Sequence, residues 1–186
     1  MIHIRHLSKE DLRQAVELRA ACWTEELAGK VENMMSVPEE LDFWTDWMQT
    51  AREHNDIRLL LGAFEQGELI GAAFGSIAET TDIPENGMEL NGLWVAPGHR
   101  NRGISLMLVL RVLDAFLAEG MEKIVIYNHH YAPSNRFYHK FGATVARQDL
   151  QMDGRLLVDV FIADLLSMKK AMEQSAGKNK PGFARE

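Results

Sequence analysis

Ile2, Ile4 and His6 alternate with His3, Arg5 and Leu7, the two-residue period of a short edge strand, and Ser8 then stands as the N-cap of a predicted helix. In that helix Leu12, Ala15, Val16 and the pair Arg19 and Ala20 recur at helical spacing. The pattern weakens after Trp23, and Pro38 opens a second amphipathic helix through Leu41, Trp44, Trp47 and Met48, whose aromatic stripe reads as core. Two apolar runs, 58–65 and 68–77, flank Gln66-Gly67 and predict an antiparallel hairpin. A loop at 82–87 precedes a strand at 88–96 that Pro97 ends, and 104–119 is a helix closed by Gly120. Leu106, Val109, Leu110, Val112, Leu113 and Leu117 of this helix are core candidates. A β-branched strand at 123–127, a helix at 133–141 stopped by Gly142, and a hairpin of 144–152 with 155–165 about Asp153-Gly154 complete the order. The sum is one mixed α/β (α+β) domain over 1–166, with no repeat or linker. Residues 167–186, holding Gly177, Pro181 and Gly182, read as a flexible tail.

The 186 residues, 46% of them hydrophobic, suffice for a single core. No apolar stretch approaches the roughly 20 residues of a membrane span, and the start is no signal peptide, so a cytoplasmic protein with no membrane partner is expected. Cys22 is the only cysteine, which removes an internal disulfide, and no Cys/His cluster suggests zinc. His129-His130 is too isolated for a metal site, so no metal is expected. Twenty basic residues against 27 acidic ones give −7, which disfavours nucleic acid as a partner. The charge is uneven: Lys169, Lys170, Lys178, Lys180 and Arg185 outweigh Glu173 and Glu186, so the tail is +3 and the body −10. An acidic body suits a cationic acceptor, and a homodimer is compatible with it.

The densest chemical signal is Leu93-Trp94-Val95-Ala96-Pro97-Gly98-His99-Arg100-Asn101-Arg102-Gly103-Ile104-Ser105, a strand, a polar turn and an apolar helix. Unpaired N–H groups and the dipole at a helix start attract a diphosphate without a metal ion. Gly103 allows close approach, and Arg100 and Arg102 add charged donors.

The stretch Arg100-Asn101-Arg102-Gly103-Ile104-Ser105 resembles the acetyl-CoA pyrophosphate loop of the GNAT superfamily of N-acetyltransferases, with Ser105 in place of a small apolar residue. Downstream, Phe137-Tyr138-His139-Lys140-Phe141-Gly142 resembles a second segment of that family, Ala143 standing where it usually has Phe. The resemblance covers most of 1–165 and is weakest over 22–55. It implies a central, mostly antiparallel sheet with a splayed parallel pair, flanked by helices, with acetyl-CoA as co-substrate. It also implies cofactor contacts from Leu93, Trp94, Val95, Arg100, Asn101, Arg102, Gly103, Ile104 and Ser105. The family often has an asparagine against the pantetheine arm seven residues before the tyrosine; Tyr131 stands there, and Asn128 or Asn135 takes over the role.

Acetyl transfer to an amine needs a neutral amine, a polarised carbonyl and a protonated leaving thiolate. The resemblance implies Tyr138 as general acid and Glu89 as base, acting directly or through water, with a backbone N–H of 93–95 at the carbonyl. Gly92 is a candidate for the bulge that starts the splay. Cys22 either lines the acceptor pocket or packs as a small buried thiol. Two functions stay open: an acetyltransferase acting on a primary amine, small molecule or protein, and a non-catalytic acetyl-CoA sensor. Acetylation of aminoacyl-tRNA is disfavoured by the −10 body.

Overall fold

The computed structural model describes residues 1–79, 83 and 86–178. Its elements run β1 (Ile2–His6), α1 (Leu12–Leu27), α2 (Val37–Gln49), β2 (Leu59–Glu65), β3 (Glu68–Ile77), β4 (Gly87–Val95), α3 (Ile104–Ala118), β5 (Lys123–His129), α4 (Asn135–Lys140), β6 (Thr144–Gln151), β7 (Leu156–Asp164) and α5 (Leu165–Lys178). A 3-10 turn at Pro97–His99 joins β4 to the loop before α3.

The strands form one sheet in the order β1-β2-β3-β4-β5-β7-β6. Every neighbouring pair is antiparallel except β4 and β5. The β2–β3 hairpin closes through Gln66 and Gly67, both at positive φ (53° and 87°), the two-residue turn whose twist matches that of the strands. Helices cover both faces. On one, Ile104, Leu108, Val112 and Phe116 of α3 pack with Leu61, Ala63, Met168 and Met172. On the other, Leu12, Val16 and Trp44 pack on Leu60, Phe64, Phe74 and Trp94.

Three local expectations change. Ser8 does not cap α1: Asp11 reaches back instead, accepting from the Ser8 backbone N–H at 2.7 Å and from Arg5, so the helix starts at Leu12. The buried face of α3 follows the row 104-108-112-116, while Leu106, Leu110 and Leu117 are only partly buried. Residues 167–178, read as part of a flexible tail, are helical, because Leu165, Met168 and Met172 recur at helical spacing and bury fully against the core. The rest of that tail, 179–186, and Asp82, Pro84 and Glu85 of the 82–87 loop lie outside the described residues. Among the described residues no helix is long and apolar enough to cross a membrane.

The feature that positions the site is the short parallel ladder. β4 pairs with β5 only over Gly87–Glu89 against Lys123–Val125. β4 then continues to Val95 on β3 alone, and β5 to His129 on β7 alone. The edge of β4 from residue 90 onward therefore faces a wedge between two diverging strands. A bulge sits where the strands part: Phe74 lies opposite Gly92 and Gly75 opposite Leu90, leaving Asn91 as the extra residue.

Candidate active site

Two adjoining chambers occupy the wedge. The inner one, about 200 Å³, is walled by Glu89, Asn91, Glu26, His129 and Tyr138 among others. The outer one, about 230 Å³, is walled by Val95, Arg100, Asn101, Ser105 and Phe137. Glu26, Leu93, Trp94 and Ser134 line both, so the two chambers share this stretch of wall.

The outer chamber ends at the start of α3. Gly103 sits in the left-handed region at φ 77° as the N-cap of that helix, and a Cβ built on it would meet nothing within 4 Å. The first helical bond runs from the Met107 N–H to the Gly103 carbonyl, so the N–H groups of Ile104, Ser105 and Leu106 have no partner within the helix. This gives an electropositive cradle of backbone donors with open space in front of it.

The two arginines of the loop part company. Arg100 lines the chamber: its Nε donates to the Val95 carbonyl at 3.2 Å and its Nη2 to Glu25 at 2.8 Å. Arg102 turns the other way into a two-pronged bond with Glu65 at 2.7 and 2.8 Å, and does not reach the chamber wall. Ile104 is also absent from the wall, because its side chain is buried in the core; only its backbone is available. Cys22 is the buried small thiol of the two alternatives: it is 1% exposed and borders the outer chamber, not the inner one that Glu89 and Tyr138 line, with its Sγ 3.6 Å from the Val95 carbonyl oxygen. Burial pushes that thiol up from its usual range.

The two candidate asparagines separate in the same way. Asn135 spends its amide locally, donating to the His129 and His130 carbonyls at 3.2 and 3.1 Å while its oxygen accepts from Asn128 at 2.7 Å. It holds the β5–α4 turn and lies off both walls. Asn128 lines the inner chamber and donates to Ser134 Oγ at 2.9 Å.

Glu89 and Tyr138 come from different sides of the wedge, β4 and α4, and line the same inner chamber. Burial raises the Glu89 carboxyl, nearby Glu79 and Asp56 add to the rise, and a hydrogen bond with Asn91 works against it. The Oδ1 of Asn91 itself is buried with no partner. Tyr138 is 3% exposed, and burial pushes its phenol above the usual range against the effect of a hydrogen bond with Ser134.

Three wall residues had no motif to announce them. Arg19, Trp23 and Glu26 lie at i, i+4 and i+7 on one face of α1 and all line the inner chamber. The Arg19 guanidinium sits 5.1, 5.5 and 5.6 Å from the rings of Trp23, Trp44 and Trp94, and pairs with Glu40. Burial lowers it to about 10. His129, weighed from the sequence only as a metal ligand, places Nε2 2.9 Å from Glu26 Oε2 and an edge against Trp23. Only the periodicity of α1 hinted at any of this.

A model of the acetyltransferase (GNAT) family matches residues 12–143 of the chain, a range that includes both chambers' main walls. Among solved structures, an N-acetyltransferase from Staphylococcus aureus Mu50 matches with a TM-score of 0.67 and 19% identity, over 89% of this chain and 99% of that one. The PaiA N-acetyltransferase of Thermoplasma acidophilum, solved in complex with coenzyme A, gives 0.62 and 25% identity over 86% and 98%. YncA from Salmonella typhimurium, solved with its cofactor acetyl-CoA, gives 0.65 and 22% over 88% and 94%. No curated protein matches the chain in sequence.

Proposed function

The chain belongs to the acetyltransferase (GNAT) family, and from that premise we propose that it moves the acetyl group of acetyl-CoA directly onto a primary amine. The observation that carries this reading is the wedge itself: a phosphate cradle at one end, a free strand edge along it, and a carboxylate and a phenol facing one chamber at the other. The residues present suit that co-substrate. The open space at Gly103 and the unpaired N–H groups of α3 suit a diphosphate, with Arg100 and Ser105 beside them. The β4 edge at 90–94, which no strand covers on the β5 side, suits the amide groups of a pantetheine arm, which Asn128 also borders. Acetyl-CoA supplies a thioester carbonyl open to attack by a neutral amine.

The residues divide the remaining work. A lysine-like amine, with a pKa near about 10.4, is almost wholly protonated at neutral pH. Glu89, on the strand wall, takes its proton directly or through a water molecule. Its raised pKa narrows the gap between base and amine and makes the transfer less uphill. A backbone N–H of the 93–95 edge donates to the carbonyl oxygen as it gains charge. Tyr138 is neutral at every working pH and donates to the departing sulfur. Full transfer from so weak an acid to a thiolate whose conjugate acid titrates near about 8.5 runs uphill. The phenol therefore hydrogen-bonds to the sulfur as the C–S bond breaks, and gives up its proton only as it takes the one shed by the new amide nitrogen, so that the thiol leaves protonated and the phenol ends neutral.

The test is Tyr138→Phe, which removes one hydroxyl and keeps the ring. Turnover should fall by about 10² to 10⁴ while acetyl-CoA affinity stays near wild type. Unchanged turnover with chemistry rate-limiting would assign the proton to water or another group.

A further inference from the structure

Glu26 is the one carboxylate that lines both chambers, so it stands where the acetyl end of the cofactor would meet the acceptor. It comes from α1, across the wedge from Glu89 on β4. Its Oε2 is fixed by His129 Nε2 at 2.9 Å. A carboxylate only accepts hydrogen bonds, so the imidazole donates from Nε2, while its Nδ1 is buried with no partner. The His129 side chain is 1% exposed and that of Glu26 15%: the imidazole is sealed in the wall and the carboxylate is not. Glu26 Oε1 has no hydrogen bond among the described residues. The rim of Trp23 against His129 holds the imidazole from a second side.

We infer that Glu26 is a second acidic residue of the acceptor site, its free oxygen accepting an N–H of the reacting ammonium so that the amine is held between Glu26 and Glu89, and that His129 is the positioning residue that sets it. The inference rests on the acetyltransferase reading and assigns the acceptor side of that site. A primary ammonium carries three N–H bonds. Glu89 removes one proton, and a second N–H held by Glu26 fixes the direction of the nitrogen lone pair.

The experiment uses the full chain and the amine turned over fastest within a panel of aliphatic diamines, amino acids, aminoglycosides and peptide N-termini. Glu26→Gln should raise KM for that amine by about 10- to 100-fold, the worth of a hydrogen bond to a charged group, and leave the Kd for acetyl-CoA within about twofold. His129→Phe keeps a ring against Trp23 and removes the donor. It should raise the same KM in the wild type and add nothing in the Glu26→Gln background, since it acts only through Glu26. If the pair merely staples α1 to β5, both variants lose melting temperature while KM stays at the wild-type value, and the inference is overturned. Should His129→Phe fail to fold, Glu26→Gln alone decides through KM. An unmodified protein that acetylates no amine brings down the acetyltransferase reading; an active protein whose Glu26→Gln variant keeps wild-type KM brings down only the role of Glu26.

Discussion

The indole of Trp94 lies folded over the backbone of Gly92, so closely that a Cβ on Gly92 would meet Trp94 Cη2 at 2.1 Å. The same ring stands edge-on to Phe74 at 5.1 Å and lines both chambers. The glycine beside the bulge is thus a matter of space, since its φ does not lie in the left-handed region. Gly92→Ala should force the ring out of place and cost about 1–3 kcal/mol of stability, as overpacking does. Denaturant unfolding measures the loss, and a titration with acetyl-CoA should show weaker binding in the same variant.

The loop arginines should behave unequally. Arg100 borders the outer chamber, whereas Arg102 is held by Glu65 on the far side of the loop. Arg100→Ala should weaken acetyl-CoA binding by about tenfold or more, the loss of one charge-assisted bond, and Arg102→Ala by about twofold or less. Equal losses in a calorimetric titration would mean that the Arg102–Glu65 pair opens on binding.

Gly103→Val should abolish the rise in melting temperature that saturating acetyl-CoA gives the unmodified protein. A β-branched residue is strained at φ 77°, and its side chain would enter the open space before the α3 amides. The rise in the unmodified protein should persist in the presence of a chelator, because the donors are N–H groups and a guanidinium. A folded Gly103→Val protein with a full shift would refute the cradle.

Glu89 carries a pH signature. Its carboxyl titrates above the ordinary value in the fold, so the neutral form is the one the folded state favours. The stability this gives is present below the unfolded pKa and is lost as pH rises through the folded one. Glu89→Gln, permanently neutral, should therefore be more stable than wild type near neutral pH and equal to it below about pH 4. Its turnover should be low, with a defect that shrinks as pH rises and more amine is already neutral. Melting temperature and turnover against pH, recorded together, check both halves.

The strand-loop-helix order at 93–105 was legible because its signals are local: proline stops the strand, and Gly103 starts the helix a few residues on. The Gln66-Gly67 hairpin was legible for the same reason. The inner chamber was not. Glu26 and His129 are 103 residues apart in sequence and meet only in the fold, where α1 and β5 both border that chamber. Asn128 and Asn135 look alike in sequence, and only the two carbonyls that claim Asn135 tell them apart. Likewise nothing in the 100–105 stretch says that Arg102 will find Glu65, a residue of the β2 hairpin. The helix at 165–178 was hidden by the glycine, proline and lysine beyond it, although Leu165, Met168 and Met172 were spaced for burial.

Acetyl transfer is measured by release of free thiol from acetyl-CoA, followed with each member of the amine panel and matched to the acetylated amine by mass. Thiol release should depend on an added primary amine, be stoichiometric with product, and fall by about 10² to 10⁴ in Tyr138→Phe. Tight binding of acetyl-CoA by the unmodified protein, with no amine acetylated and no thiol released above the solvent rate, would contradict acetyl transfer and leave a sensor in place of an enzyme.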